Sequence, residues 1–330
     1  VGLYGLVQLK FEQICDILHK KSTDIFMDIQ LVFQQMLILV AVMAVGFAIR
    51  RLRVLDEAAN GYLTKLILRV TMPATLLSAL AGSTLEIPLG EALSLFGFVL
   101  FAFVTAAIVS WATPWALRVD RDERGAYRVM GLFANVNFMG IPLAAAFFGP
   151  DGMFYVILYN IVFNLALFSV GMKLIGGARA KLSAKFFLSP ILLSSVLSVV
   201  FFLLGIQLPY VLHSGLRLVG GITTPLAMIL LGSVLGSMRF AEMFSGYRVY
   251  AVAAVRLIVA PVAVFFVLMP FGLSPLFLQV TTVMIASPTA ASIATFAIHY
   301  DVHQTLVSKG IFISTLFSVV TMPLVLALLF

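Results

Sequence analysis

Apolar positions along this chain fall into ten blocks separated by short polar segments, and each block approaches the roughly 20 residues a helix needs to cross a bilayer. The first five lie at about residues 31–49, 64–80, 91–113, 128–148 and 152–174. The second five lie at about 188–206, 216–236, 248–269, 277–298 and 308–329. Block two is short and extends by tilt or through residues 61–63. Ahead of the blocks, Leu3, Val7, Phe11, Ile14, Leu18, Ile25 and Ile29 recur at helical spacing, with Lys10, Glu12, Lys20 and Lys21 between them. Residues 1–30 therefore read either as an interfacial amphipathic helix or as a non-native extension, with Met27 a natural start.

The polar segments carry an orientation signal. Arg50, Arg51, Arg53 and Lys65 flank the first connection, and Arg118, Arg121, Arg124 and Arg128 fill the third. Lys173, Arg179, Lys181 and Lys185 fill the fifth, Arg239 and Arg248 the seventh, and Lys309 follows the ninth block. The alternate connections hold almost no Lys or Arg, Arg217 excepted. Positive charge concentrates on the cytoplasmic side of a cell membrane, so both termini are expected on the outer side. With five blocks per half, residues 31–174 and 188–330 enter the membrane from opposite sides, joined by a cytoplasmic connection at 175–187. Pro73 and Pro142 in blocks two and four are matched by Pro225 and Pro288 in blocks seven and nine. The predicted fold is an all-α integral membrane protein of ten transmembrane helices, built as an inverted repeat of five plus five.

Composition agrees with that picture. The 330 residues are 62% hydrophobic and only 11% charged, far from the quarter charged that soluble domains carry. The net charge of +7 sits in the short connections rather than in a patch, which removes nucleic acid as a partner. Cys15 is the single cysteine, and the four histidines show no ligand spacing, so neither a disulfide framework nor a metal site is expected. No block holds a deep Asp, Glu or His constellation and no nucleotide-binding loop is present, which argues against a membrane enzyme and against direct ATP driving. No periodic polar lining marks a channel pore. No cofactor is implied.

Two blocks are interrupted by polar chemistry. Asn135-Val136-Asn137-Phe138-Met139-Gly140-Ile141-Pro142 breaks block four, and Ala286-Ser287-Pro288-Thr289-Ala290-Ala291 breaks block nine. Freed backbone groups are costly in hydrocarbon and persist only where protein or a wet cavity receives them. Ser287 and Pro288 suit an N-cap and a first helical position. Gly140 permits an unusual backbone angle, and Pro142 starts a second half-helix. Two half-helix N-termini meeting from opposite faces would suit a carboxylate. Asn135 is expected on the substrate, and Asn137 on the substrate or on the backbone of the other broken helix, with glue between helices as the alternative for both. Thr289 belongs to the same break. Asn160 and Asn164, on one face of block five, either lock neighbouring helices or line a path. Arg69 is near enough to a helix end to snorkel. Arg256 is expected either to answer a carbonyl freed near Ala260-Pro261 or to attract the anion. Glu91 and Asp151 are the nearest candidates for carrying a proton. Gly232 and Gly236 form a small-xxx-small pair suited to a sliding surface or a subunit interface.

Asn135 through Leu143, Pro288, the run Phe296-Ala297-Ile298-His299-Tyr300-Asp301-Val302-His303 and the run Leu231-Gly232-Ser233-Val234-Leu235-Gly236 together resemble the auxin efflux carrier family. That family includes plant auxin exporters and bacterial permeases for malate, malonate and other organic acids, and the likeness spans residues 31–330. The resemblance implies a fold similar to bile-acid sodium symporters. Helices one, two, six and seven would be a scaffold, and helices three to five and eight to ten a transport domain in which helices four and nine cross. It also implies that Asn135 contacts the substrate carboxylate and that a homodimer forms through the scaffold. The plant pattern has Pro before that Asn where this chain has Ala134, and the fifth connection is only about a dozen residues long. Both departures favour a bacterial permease for small mono- or dicarboxylates over an exporter of aromatic acids. The expected activity is alternating-access transport of a small organic anion, with Na+ or H+ as a coupling ion. An auxin-like exporter and an anion channel are the alternatives.

Overall fold

The computed structural model describes residues 33–34, 37–80, 86–177, 180, 188–237, 244 and 246–330. The expected amphipathic segment at the start of the chain lies outside them. The described chain is all-α. In chain order, α1 covers residues 37–51 and α2 residues 57–79, and α3 is Leu89–Ala116. Arg124–Leu132 is α4; after a break, α5 covers residues 136–148 and α6 residues 150–176. Pro190–Leu203 forms α7, Tyr210–Gly236 α8 and Tyr247–Phe271 α9. Pro275–Ala286 is α10, Ser292–Tyr300 is α11 after a second break, and Gln304–Leu329 is α12.

Among the described residues, five helices are long and apolar enough to cross a membrane: α3, the continuous stretch Val136–Gly176, α8, α9 and α12. Val136–Gly176 is not one rod. Gly149 adopts φ +58 and ψ −158 ahead of Pro150, a conformation open to glycine, and turns the chain so that α6 runs back beside α5. These two helices form the interior: 72% of the most apolar window of Val136–Gly176 is buried, against 33% for α3, whose outer face is apolar and uncovered.

Helix boundaries follow local chemistry more than hydropathy. The expected start near residue 64 moves back to Glu57, because Asp56 caps the helix by accepting from Ala59 N–H at 2.7 Å and the acidic first turn suits the helix N-terminus. Likewise Ser274 caps α10 by accepting from Phe277 N–H at 3.2 Å, with Pro275 in the first turn. Three prolines have a shared effect inside helices. Pro73, Pro142 and Pro261 each follow by two residues a five-residue π turn, at Ile67–Thr71, Val136–Gly140 and Val255–Val259. A proline ring clashes with the carbonyl four residues back, here on Arg69, Phe138 and Leu257. Lengthening the ladder by one residue moves that carbonyl away without ending the helix.

Packing divides the helices into two groups. The second half of α2 lies against α7 and the first half of α8, while α1 meets α8 through glycines. A Cβ at Gly232 would lie 1.9 Å from Met43 O, and one at Gly46 2.1 Å from Ile229 O, so the two backbones touch. The Gly232 and Gly236 pair is therefore consumed inside one chain, which corrects its reading as a subunit interface. On α5 and α6 pack α3, α4, α10 and α11, with α7 and α8 touching them from the first group, and α9 and α12 pack in turn on α3, α4 and α10.

Candidate substrate site

Both expected interruptions occur, and they touch. The extended residues between α4 and α5 pair with those between α10 and α11 through one antiparallel bridge, Ala134 opposite Thr289. Asn135 N–H donates to Pro288 O at 2.6 Å, and Ala290 N–H donates to Phe133 O at 2.8 Å. Each break thus supplies the other with the backbone partners that lipid cannot.

The carbonyls at the end of α4 are all answered from elsewhere in the fold. Met130 O accepts from Thr289 Oγ1 at 3.1 Å. Gly131 O and Leu132 O accept from Arg256 Nη1 at 3.1 and 3.0 Å. At the end of α10, Arg256 Nη2 donates to Ile285 O, and its Nε donates to Ser287 O at 3.1 Å. Arg256 lies in the π turn of α9 with no exposed surface. Its planar fork therefore binds the C-terminal ends of two half-helices at once, the ends that carry negative partial charge. The expectation of a carbonyl freed near Pro261 is corrected: the carbonyls answered belong to two other helices. Four of the five guanidinium N–H donors bond backbone carbonyls, so most of any pull on an anion acts through its charge.

Other expectations at the breaks need correction. Gly140 has ordinary helical angles, φ −60 and ψ −53. Its value is room, since a Cβ there would lie 3.1 Å from Met284 Sδ. The second half-helix starts at Val136, so Pro142 sits past its first turn and sets the π turn instead of the start. Ser287 caps nothing at an N-terminus. Its N–H and hydroxyl both bond Val283 O, at 3.2 and 3.0 Å, closing α10. Pro288 lies in the extended segment, and α11 begins at Ser292. Thr289 N–H donates to Ser314 Oγ of α12 at 3.0 Å, so both its polar groups are held by protein.

The four asparagines part company. Asn137 Oδ1 accepts from Asn160 Nδ2 at 2.7 Å, and Asn137 Nδ2 faces Asn164 Oδ1 at 3.5 Å. Asn164 Nδ2 donates to Asn160 O and Oδ1 at 2.8 and 2.9 Å, and Ser195 Oγ of α7 donates to Asn160 Oδ1 at 3.1 Å. The Asn137 side chain thus bonds no group of the facing break; it belongs to a buried network joining α5, α6 and α7. Asn135 is 2% exposed, yet its Nδ2 has no hydrogen-bond partner. Thr71 Oγ1 and Thr315 Oγ1 are also buried and unpartnered. Arg69 is exposed on α2 and makes no hydrogen bond to either break. Glu91 is exposed and Asp151 half-buried; Arg256 is the one buried charged residue among those described.

Ser195 was not expected to take part. The spacing of Ser194, Ser195 and Ser198 on an otherwise apolar helix was the available signal. Ser198 Oγ bonds Leu76 O of α2 at 2.7 Å, so this polar face ties α7 to both helix groups. Among the described residues no cluster of His, Cys, Asp or Glu is arranged to hold a metal ion.

Known proteins agree with a membrane transporter. A family model described as membrane transport protein matches residues 31–186 and 180–326. An uncharacterised transporter of Methanothermobacter thermautotrophicus is 27% identical over 285 residues, covering 84% of this chain and 92% of the relative. An uncharacterised transporter of Methanocaldococcus jannaschii is 23% identical over 296 residues, covering 87% of this chain and 96% of the relative. With the apolar helices and the paired breaks, the match over nearly the whole chain assigns it: this is a multi-pass membrane protein, a transporter rather than an enzyme, and it belongs to the membrane transport protein family.

Proposed function

We propose that this protein is a secondary transporter of small organic anions, mono- or dicarboxylates, that binds its substrate where the two broken helices meet and works by alternating access. One observation carries the reading. Four half-helix ends converge on the breaks, and Arg256 occupies the two C-terminal ones. The N-terminal ends of α5 and α11 remain, each worth about half a positive charge. With the guanidinium offsetting the two negative ends, the crossing keeps roughly one unit of positive charge, and Asn135 adds a buried amide donor with no partner. A carboxylate meets both needs.

In this reading the chain crosses the membrane ten times as two inverted halves. The group of α1, α2, α7 and α8 serves as scaffold, and the remaining helices carry the site. Ala134, where the plant pattern has Pro, and the short fifth connection support a small acid over an aromatic one. Coupling to Na+ or H+ is open to the same mechanism.

The test is uptake into proteoliposomes against a panel of carboxylates. Saturable uptake of at least one small acid is expected, and Asn135→Ala should reduce it about 10- to 100-fold, the worth of a hydrogen bond to a charged group. Flux that never saturates, or that survives Asn135→Ala at the original rate, defeats the proposal.

A further inference from the structure

The end of the bundle where α3 meets α4 carries a feature that substrate binding does not use. Two arginines one helical turn apart on α4 lie over two tryptophans one turn apart on α3. The Arg128 guanidinium carbon stands 4.2 Å from the centre of the Trp111 ring, and that of Arg124 stands 5.0 Å from Trp115. Packing fixes the ladder. Ser110 Oγ donates to Arg128 O at 2.7 Å, and a Cβ at Gly131 would fall 2.6 Å from Ser110 Oγ, so the two helices are in close contact at this level.

The rings face outward: Trp111 is 43% exposed and Trp115 63% exposed. Aromatic residues placed so at a helix end belong to the headgroup level of a bilayer. Arg124 Nε donates to Val119 O at 3.1 Å, and Arg128 Nε is buried with no partner. Neither forms an ion pair among the described residues, and Asp120, Asp122 and Glu123 of the same connection make none with them. Like charges four apart on one helix face repel each other unless an anion sits between them. The Nη donors of both arginines bond no group among the described residues, which leaves two guanidinium ends one turn apart for a tetrahedral oxyanion.

We infer that Arg124 and Arg128, stacked on Trp115 and Trp111, form a binding site for a phosphoryl anion, supplied by the headgroup of an anionic phospholipid at that membrane surface. The exposed rings favour a lipid source, because acyl chains cover the indole faces while the phosphate reaches the arginines. Such a lipid would brace α3 against α4 and hence the end of the first broken helix, independently of the substrate.

The full-length protein, purified and exchanged into nanodiscs or mild detergent, provides the test by native mass spectrometry. Retention is compared for phosphatidylglycerol, phosphatidylcholine and lipid-free protein given inorganic phosphate. Wild-type protein should retain phosphatidylglycerol over phosphatidylcholine. Arg128→Gln should weaken that retention by about fivefold or more, and the pair Arg124→Gln with Arg128→Gln by about 25-fold, since one basic residue near a membrane surface is worth about fivefold. Trp111→Leu keeps both charges and should still lose retention. Arg121→Gln is the control, an exposed arginine in the same connection outside the ladder, and should change nothing. Retention unchanged in Arg128→Gln, or lost equally in Arg121→Gln, overturns the site. Phosphate bound by the lipid-free wild type and lost in Arg128→Gln, with no lipid preference, overturns the lipid source.

Discussion

Asn135 and Asn137 sit two positions apart, both are buried, and they behave as opposites. Asn137 is satisfied by Asn160 and Asn164, while Asn135 Nδ2 bonds to nothing. Truncating a partner in a closed buried network leaves the remaining groups unsatisfied, at about 1–3 kcal/mol. Truncating an unpartnered amide removes a group that was already costly to bury. Asn137→Ala should therefore lower the thermal melting temperature of purified protein, whereas Asn135→Ala should leave it level or raise it while uptake falls. If both variants melt alike, the two residues share one structural role and Asn135 loses its claim on substrate. The residues themselves were legible in the sequence, because an amide in an apolar run has few reasons to be there. Their division of labour was not. It depends on which amides α6 and α7 present, and Asn160 and Ser195 lie 23 and 35 residues from their partners. Arg256 shows the same limit: its carbonyl partners are 29 to 125 residues away, so the sequence could mark a buried arginine without saying what it holds.

At the scale of elements, proline and glycine set the shape of the site. The π turn before Pro142 places one extra residue between Asn135 and the rest of α5, a rotation of roughly 100° relative to a continuous α-helix. Pro142→Ala removes the clash and restores an N–H donor, so the ladder can revert to α spacing. The expected outcome is folded protein with uptake reduced at least about tenfold and with faster hydrogen exchange across residues 135–141 as the Asn137 network comes apart. Normal uptake with unaltered exchange would mean the neighbouring helices impose the π turn and the proline does not. Glycine acts by close approach. Gly232→Val should abolish folded protein on size-exclusion chromatography, because its Cβ would overlap Met43 O; Gly221→Ala, where nothing lies within 4 Å, should be silent. Sequence reading located both breaks because hydropathy and proline mark them locally. It erred in assigning cap roles to Ser287 and Pro288: Ser-Pro suits a helix start, but a serine can equally close the helix behind it, and only the facing extended segment decides which.

For the whole molecule the decisive quantity is charge at the crossing. Arg256 is buried without a carboxylate among the buried described residues, and it offsets two helix ends while two positive ends remain. Under the proposed function, a carrier loaded with a monoanion is then close to neutral as it reorients, whereas the empty carrier moves roughly one positive charge. A unit charge crossing the membrane feels about 2.3 kcal/mol per 100 mV. The potential should therefore act on the empty return step and leave the loaded step almost untouched. Net uptake of a monocarboxylate requires both steps, while exchange of labelled for unlabelled substrate requires only the loaded one. In proteoliposomes clamped near 0 and near −100 mV with potassium gradients and valinomycin, net uptake should change several-fold and exchange should not. A dicarboxylate would reverse part of this, because its loaded carrier retains about one negative charge and its exchange becomes sensitive to potential. Exchange of a monoanion as steeply dependent on potential as its net uptake would show that the crossing does not hold the single positive charge assigned to it, and the electrostatic argument for an anion site would fail with it.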